Sequence, residues 1–253
     1  MSTDFFSTIA DSYARHRPGY PPALYAFLAA HCRCRRLAWD CATGNGQAAC
    51  GLAAHFDLVV GTDLSLTQLA RARRSPRVVY AASTAERSPF AEASVDLVTV
   101  AQALHWFELP AFYSDIDHVL ADDGLLAIWC YQLLRVSPAV DSVVDRLFHE
   151  IVGPFWPPQR ALIEQGYGSL PFPYREIDCP TFTMAYDWSL ERLIGYLGSW
   201  SACQRYREAH GEDPVRKVAT ALGDAWGDAG ERRAVRWPLI LRAGRRPARN
   251  PRS

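Results

Sequence analysis

Asp40-Cys41-Ala42-Thr43-Gly44-Asn45-Gly46 is the stretch on which the reading of this chain turns. It follows the short apolar run Leu37-Ala38-Trp39 and precedes a helical pattern from Gln47 to His55. Strand, tight glycine turn and helix in that order open a βαβ unit, and such units bind ligands beyond the carboxyl ends of their parallel strands. Gly44 and Gly46 allow backbone to approach a ligand closely. Asp40 ends the strand, where its carboxylate can accept a hydrogen bond from an ammonium group or fix the loop. Alone, a Gly-x-Gly is also compatible with an ordinary tight turn.

Working outward, a second strand, Leu58-Val59-Val60-Gly61-Thr62, ends at Asp63. A carboxylate at that position can accept two hydrogen bonds from ribose hydroxyls. Ser65 is placed to cap a helix carrying Leu66, Leu69 and Ala70. Further strands are expected over 77–81, 95–100 and 124–131, the last after the turn Asp122-Asp123-Gly124. Most of these runs are continuously apolar rather than alternating, the signature of strands covered on both faces. The pattern predicts an α/β, Rossmann-like fold with a mostly parallel sheet and helices on both faces.

A helical opening of about 30 residues is broken at Arg17-Pro18-Gly19-Tyr20-Pro21-Pro22. After about residue 135 aromatic-rich breakers appear, Pro154-Phe155-Trp156-Pro157-Pro158 and Pro171-Phe172-Pro173-Tyr174. Helical stretches are expected from Ser189 to about Ala209 and from Pro214 to about Trp226. A last strand over 235–241 contains Pro238, which suggests an edge or a bulge. The expected organisation is one domain over 1–242, with about 135–230 as a helical cap, and a basic, disordered tail over 243–253.

Among 253 residues, 49% are hydrophobic and 21% charged, enough apolar content for a sizeable core. Formal net charge is zero, which argues against a nucleic-acid or acidic-membrane partner. The basic runs Arg33-Cys34-Arg35-Arg36 and Arg71-Ala72-Arg73-Arg74 read as solvated helix ends and loops. No apolar run is long enough to span a membrane, and the first residues lack a secretory pattern. The seven cysteines are scattered without metal-ligand spacing, as expected of reduced thiols in a cytoplasmic protein that holds no metal.

Glycine turn and Asp63 together would also suit a nicotinamide dehydrogenase, since Ala49 stands at the third glycine position of a dinucleotide fingerprint and alanine is allowed there. The wording of the turn separates the two. Asp-x-Ala-Thr-Gly-Asn-Gly-Gln resembles the first motif of class I methyltransferases, in the form found in the trans-aconitate methyltransferase-like family. Tyr13-Ala14-Arg15-His16-Arg17-Pro18-Gly19-Tyr20-Pro21 looks like that family's opening signature, and Thr62-Asp63-Leu64-Ser65 its second motif. Ser83-Thr84-Ala85-Glu86 with Pro89-Phe90 resembles its adenine-side loop, Val95-Asp96-Leu97-Val98 its fourth strand, and Ala101-Gln102-Ala103-Leu104-His105-Trp106-Phe107 the segment that follows. Trp188-Ser189 and Gly195-Tyr196-Leu197-Gly198-Ser199-Trp200-Ser201 extend the likeness over nearly the whole chain. Cys41-Ala42, where many relatives have Gly-Cys-Gly, departs from the pattern.

The resemblance implies a seven-stranded sheet and S-adenosylmethionine as cofactor, released as S-adenosylhomocysteine. It would place Asp40, Ala42, Thr43, Gly44 and Gly46 around the methionine part and Asp63 on the ribose. Leu64 would pack on adenine, with Ala85 and Glu86 at its edge, Gln102 near the sulfonium, and Tyr13 and Arg17 over the top. His105, with Trp106, Tyr196 and Trp200, would face a small-molecule acceptor, with Trp156 as a further candidate. His105 is the catalytic candidate, orienting the acceptor oxygen or taking its proton. O-methylation of a small carboxylic acid is the leading expectation, in a monomer or homodimer. Methylation of another natural-product oxygen, nitrogen or carbon, or cofactor binding without turnover, are the alternatives.

Overall fold

The five apolar runs lie side by side in the computed structural model, which describes residues 18–246. They form β1 (Leu37–Cys41), β2 (Leu58–Asp63), β3 (Val78–Ala82), β4 (Val95–Ala101) and β5 (Leu120–Tyr131). Their order in the sheet is β3-β2-β1-β4-β5, all parallel. The order reverses between β1 and β4, so the carboxyl ends of these two strands flank the crevice where such sheets bind ligands. Asp40 stands in register with Gly61 on one side and Thr99 on the other.

Burial on both faces explains the continuous runs. In β5, Leu125, Ala127 and Trp129 pack into one layer, with Leu24 and Leu28 of α1 (Pro22–Ala30) and Leu52 of α2 (Gln47–Leu52). Leu126, Ile128 and Cys130 face the other layer, with Phe112 and Ile116 of α4 (Leu109–Val119). α3 (Leu66–Ala70) is short, and Ser65 caps it as the sequence indicates, its hydroxyl accepting from the Gln68 amide at 3.3 Å.

Among the described residues the sheet has eight strands, one more than expected, and three of its pairings are antiparallel. β6 (Arg175–Glu176) and β7 (Phe182–Trp188) both pair with β8 (Arg233–Arg245). β7 escaped the reading because its buried Phe182, Met184 and Trp188 are separated by the exposed Thr183, Ala185, Tyr186 and Asp187. β6 and β7 therefore add sheet structure within the region expected as a helical cap, and β8 runs to Arg245, past residue 242.

Pro238 lies on an inner strand, not an edge. It pairs with Thr183 of β7, and on the other side its carbonyl accepts from the Gln132 amide at 2.8 Å, where β5 has just ended. The nitrogen that cannot donate thus falls where the partner strand runs out.

Four further helices build another core on the β7–β8 side, α5 (Pro138–Asp145), α7 (Leu190–Gly198), α8 (Ser201–His210) and α9 (Ala219–Trp226), whereas α6 (Arg160–Glu164) buries Ile163 in the layer of Phe112 and Ile116. Val140, Val144, Leu193, Leu197, Leu222 and Trp226 close on Trp188 and Trp237 of the sheet. A π-helical turn over Arg146–Ile151 continues α5. The helix expected from Ser189 to about Ala209 is two helices, interrupted at Ser199 and Trp200, where Trp200 is extended (φ −66, ψ 139).

Candidate active site

The turn after β1 is held from beneath by Asp40. Its side chain is fully buried and accepts from the Thr43 hydroxyl at 2.5 Å, the Thr99 hydroxyl at 2.8 Å and the Ala49 amide at 3.0 Å. Of the two roles open to this carboxylate, the geometry assigns the fixing of the loop. Burial raises its pKa to about 6, with the three hydrogen bonds working in the opposite direction. Asp40 therefore braces the turn through these three hydrogen bonds.

Above it the backbone alternates through left-handed conformations, at Ala42 (φ 54), Gly44 (φ 54) and Gly46 (φ 76). The two glycines serve different ends. A Cβ on Gly46 would run into the Tyr80 hydroxyl, whereas one on Gly44 would meet no atom within 4 Å. Gly44 thus borders open space, and Gly46 permits close packing on β3.

Asp63 links the two motifs. One carboxylate oxygen accepts from the Gly44 amide and the other from the Ser65 amide, each at 2.8 Å. A carboxylate offers about four lone-pair sites, so both oxygens keep acceptor capacity for a ribose diol. Next to it Leu64 is 64% exposed, a large apolar side chain offered to solvent beside a polar loop. Ala85 is buried, and Glu86 accepts from the Glu108 amide at 3.1 Å. Tyr13 and Arg17 lie outside the described residues.

At the end of β4, Gln102 adopts φ 58, a strained conformation for a residue with a side chain. Its amide donates to the Trp129 carbonyl at 2.9 Å and its side-chain oxygen accepts from the Tyr131 amide at 3.1 Å, which pins this corner. Here a cavity of about 130 Å³ opens between the sheet and the helices packed on β7 and β8. Gln102, His105, Trp106, Trp156, Tyr196 and Trp200 all line it. The aromatic residues expected to face an acceptor are therefore brought to one place by three separate segments, at 105–106, 156 and 196–200.

Two residues of the site were not foreseen. Arg160, the first residue of α6, lines the same cavity with its guanidinium carbon 5.1 Å from the Phe148 ring centre and 5.0 Å from that of Trp156. Tyr167, almost completely buried, has its hydroxyl 2.8 Å from His105 Nδ1. Burial, with Arg160 as the lesser cause, lowers the His105 pKa to about 4. His105 is consequently neutral at pH 7. Among the described residues no cluster could hold a metal ion, and no helix is long and apolar enough to cross a membrane.

A Dictyostelium discoideum methyltransferase is 34% identical over 227 residues, 88% of this chain and 86% of its own length. The chain belongs to the methyltransferases. Residues 39–128 match the family model described as a methyltransferase domain. A solved methyltransferase structure from Anaeromyxobacter dehalogenans, described as type II, is 42% identical, superposes with a TM-score of 0.86, and is covered over 97% of its length by 90% of this chain. A further methyltransferase structure, from Bacillus halodurans, is 20% identical with a TM-score of 0.51 and shares the fold.

This methyltransferase is of class I and depends on S-adenosylmethionine. The turn suits that cofactor on its own geometry. Open space over Gly44, spare acceptor sites on Asp63 and the exposed face of Leu64 match a ligand with a charged amino-acid end, a ribose and a flat base. The helix after the turn is short and bears no phosphate-binding extension, which agrees with a sulfonium nucleoside rather than a pyrophosphate.

Proposed function

We propose that this methyltransferase O-methylates a small carboxylic acid held in the cavity beside Gln102. The observation that carries the reading is that Arg160, whose Nε also lies 3.8 Å from Glu164, lines one aromatic-walled cavity together with His105. A guanidinium in an enclosed site favours an anion. A conjugate acid near pKa 4 makes His105 a poor base for a phenol or an alcohol, whose protons leave near pH 10 or above. A carboxylate needs no base, because it is already ionised at neutral pH. The narrower likeness to trans-aconitate methyltransferases points the same way.

When bound, S-adenosylmethionine would supply an electrophilic methyl group on its sulfonium, with S-adenosylhomocysteine as the product that remains. In this reading Thr43, Gly44 and the backbone of the turn hold the methionine end, Asp63 the ribose, and Leu64 with Ala85 and Glu86 the base. Arg160 draws the carboxylate in, Trp106, Trp156, Tyr196 and Trp200 exclude water around its apolar part, and His105 orients the reacting oxygen. Positioning of this kind can supply about 7–11 kcal/mol of the barrier in favourable cases.

The deciding experiment incubates the full chain with methyl-labelled S-adenosylmethionine and a panel of small acids, phenols and amines, with products read by mass spectrometry. Labelled methyl esters, lost in Arg160→Leu, are the expected result. Labelled ethers or methylamines without esters would overturn the carboxylate reading and leave the cofactor assignment standing.

A further inference from the structure

We propose that Tyr167 is a positioning residue that locks His105 in the tautomer with the proton on Nε2, so that the cavity meets an N–H donor at this position and not a base. The inference deepens the carboxylate reading of the same cavity and rests on it only for the nature of the acceptor.

A tyrosine hydroxyl and an imidazole nitrogen 2.8 Å apart can share their proton in two ways. Either the hydroxyl donates to Nδ1, or Nδ1–H donates to the hydroxyl. In the second arrangement the tyrosine's own proton needs another acceptor. Among the described residues the Tyr167 hydroxyl has no other partner than His105, and the side chain is buried away from water. A buried donor left without an acceptor is costly, so the hydroxyl donates. Burial also holds the Tyr167 hydroxyl well above its ordinary pKa, which keeps its proton on oxygen. Nδ1 is then the acceptor, and the single imidazole proton resides on Nε2. Within the described residues nothing takes Nε2, and His105 lines the cavity.

The backbone gives the second, independent sign. Tyr167 itself has φ 60, a left-handed conformation rare for a bulky aromatic residue, directly after Gly166 at φ 61. Such strain persists only where surroundings over-determine it, and it gathers at functional sites. Here the Tyr167 amide donates to the Leu162 carbonyl at 2.9 Å, and its carbonyl accepts from Arg242 at 3.0 Å. Arg242 is in turn held by Glu176 at 2.8 Å. Three elements therefore fix one strained residue, and the hydroxyl it delivers reaches only the histidine of the cavity. A neutral imidazole aimed this way donates to an anionic acceptor oxygen through Nε2–H, in the manner of an electrostatic anchor.

The test is a two-bond ¹H–¹⁵N correlation spectrum of the full chain at pH 7 with ¹⁵N-labelled histidine and no acid present. His105 is assigned by its loss in His105→Gln. We expect a protonated Nε2 and an unprotonated, hydrogen-bonded Nδ1. In Tyr167→Phe the two tautomers should both be populated, while affinity for S-adenosylhomocysteine stays within about twofold of wild type, a combination a merely structural role would not produce. An Nδ1–H tautomer, an imidazolium at pH 7, or an unchanged tautomer in Tyr167→Phe would each overturn the proposal. If Tyr167→Phe does not fold, the wild-type spectrum can still overturn the proposal through an Nδ1–H tautomer, and Tyr167→Leu takes the place of the first variant. Because no acid enters the measurement, its outcome is independent of whether the substrate panel yields esters.

Discussion

At the scale of single residues, the two glycines of the turn separate binding from folding. Gly44→Ala places a methyl group at φ 54 in open space, so its cost to the fold is the strain of the left-handed backbone, about 1 kcal/mol. In the proposed site the same methyl intrudes on the cofactor, and calorimetry should find S-adenosylhomocysteine binding at least about tenfold weaker, a loss of about 1.4 kcal/mol. Gly46→Ala pushes on Tyr80, whose hydroxyl donates to the Arg73 carbonyl at 2.6 Å, and should lower thermal stability more than Gly44→Ala does. Equal effects of both on stability would remove the distinction. His105 adds a pH dependence whose sign follows from linkage. Its pKa falls from 6.5 in the unfolded chain to about 4 in the native one, so the unfolded state binds more protons between those values. Stability from this group is complete above pH 6.5 and drains away as pH falls toward 4. Asp40 works the other way, because its raised pKa gives stability that is present below pH 3.8 and lost as pH rises through about 6. Denaturant titrations at pH 4.5 and 7.5 should therefore show a smaller acid loss in His105→Gln than in wild type, provided Asp40 is left intact. An identical acid loss in both would mean that His105 is not buried neutral.

At the scale of elements, β1 and β4 are joined at their starting ends as firmly as Asp40 and Thr99 join them at their finish. Asp96, 4% exposed, accepts from the amides of Arg36 at 2.8 Å and Leu37 at 3.1 Å. Its ion pair with Arg36, whose side chain is 71% exposed, adds little. Asp96→Ala would leave two main-chain donors short of an acceptor, and urea denaturation should register a loss of about 2–4 kcal/mol. Cofactor affinity should not change, because the site lies at the opposite end of these strands. A loss below about 0.5 kcal/mol would show that water replaces the carboxylate freely. β1, β4 and β5 were readable because burial on both faces leaves unbroken apolar runs, and β1 and β2 because they lead into Asp40 and Asp63. β7 was not, since its contribution to the core comes from Phe182, Met184 and Trp188, set among exposed residues. The break at Trp200 was hidden for a different reason. Helix-compatible residues stand on both sides, and only the tertiary structure reveals that the interruption turns this indole into the cavity wall. The glycine turn could be read because conformation and chemistry sit in neighbouring residues, whereas Arg160 reaches the cavity from a helix and Tyr167 reaches His105 from a loop, neither with a local motif. The dipeptide Gly166-Tyr167 after a short helix was the one cue, a left-handed C-terminal position followed by an aromatic residue.

At the scale of the whole molecule, β8 ties the cofactor sheet to the aromatic cap. Its second half pairs with β5 from Leu239 to Arg245, and its first half with β7 from Arg233 to Leu239. Trp237 on this strand belongs to the cap core, while Leu239 and Ala243 belong to the sheet core. A cap that shares a strand with the sheet cannot come away without breaking sheet pairing, so thermal unfolding should be one transition. Cofactor binding then stabilises the entire molecule by mass action. S-adenosylhomocysteine at about 100 times its Kd adds about 2.7 kcal/mol, which for a chain of this size raises Tm by about 5–11 °C. Trp200→Ala separates the two halves of the function within that single transition. Trp200 is 3% exposed and packs with its ring centre 5.6 Å from Phe148, 5.7 Å from Trp156 and 6.1 Å from Tyr196, so truncation should cost about 3–5 kcal/mol and lower Tm. The turn, Asp63 and Leu64 touch none of these rings, so the Tm rise produced by S-adenosylhomocysteine should survive in the variant while ester formation falls sharply. Calorimetric scans of wild type and Trp200→Ala, with and without S-adenosylhomocysteine, check both statements together. A second transition in either protein, or loss of the cofactor-induced rise in the variant, would mean that the cap shapes the cofactor site as well as the acceptor cavity.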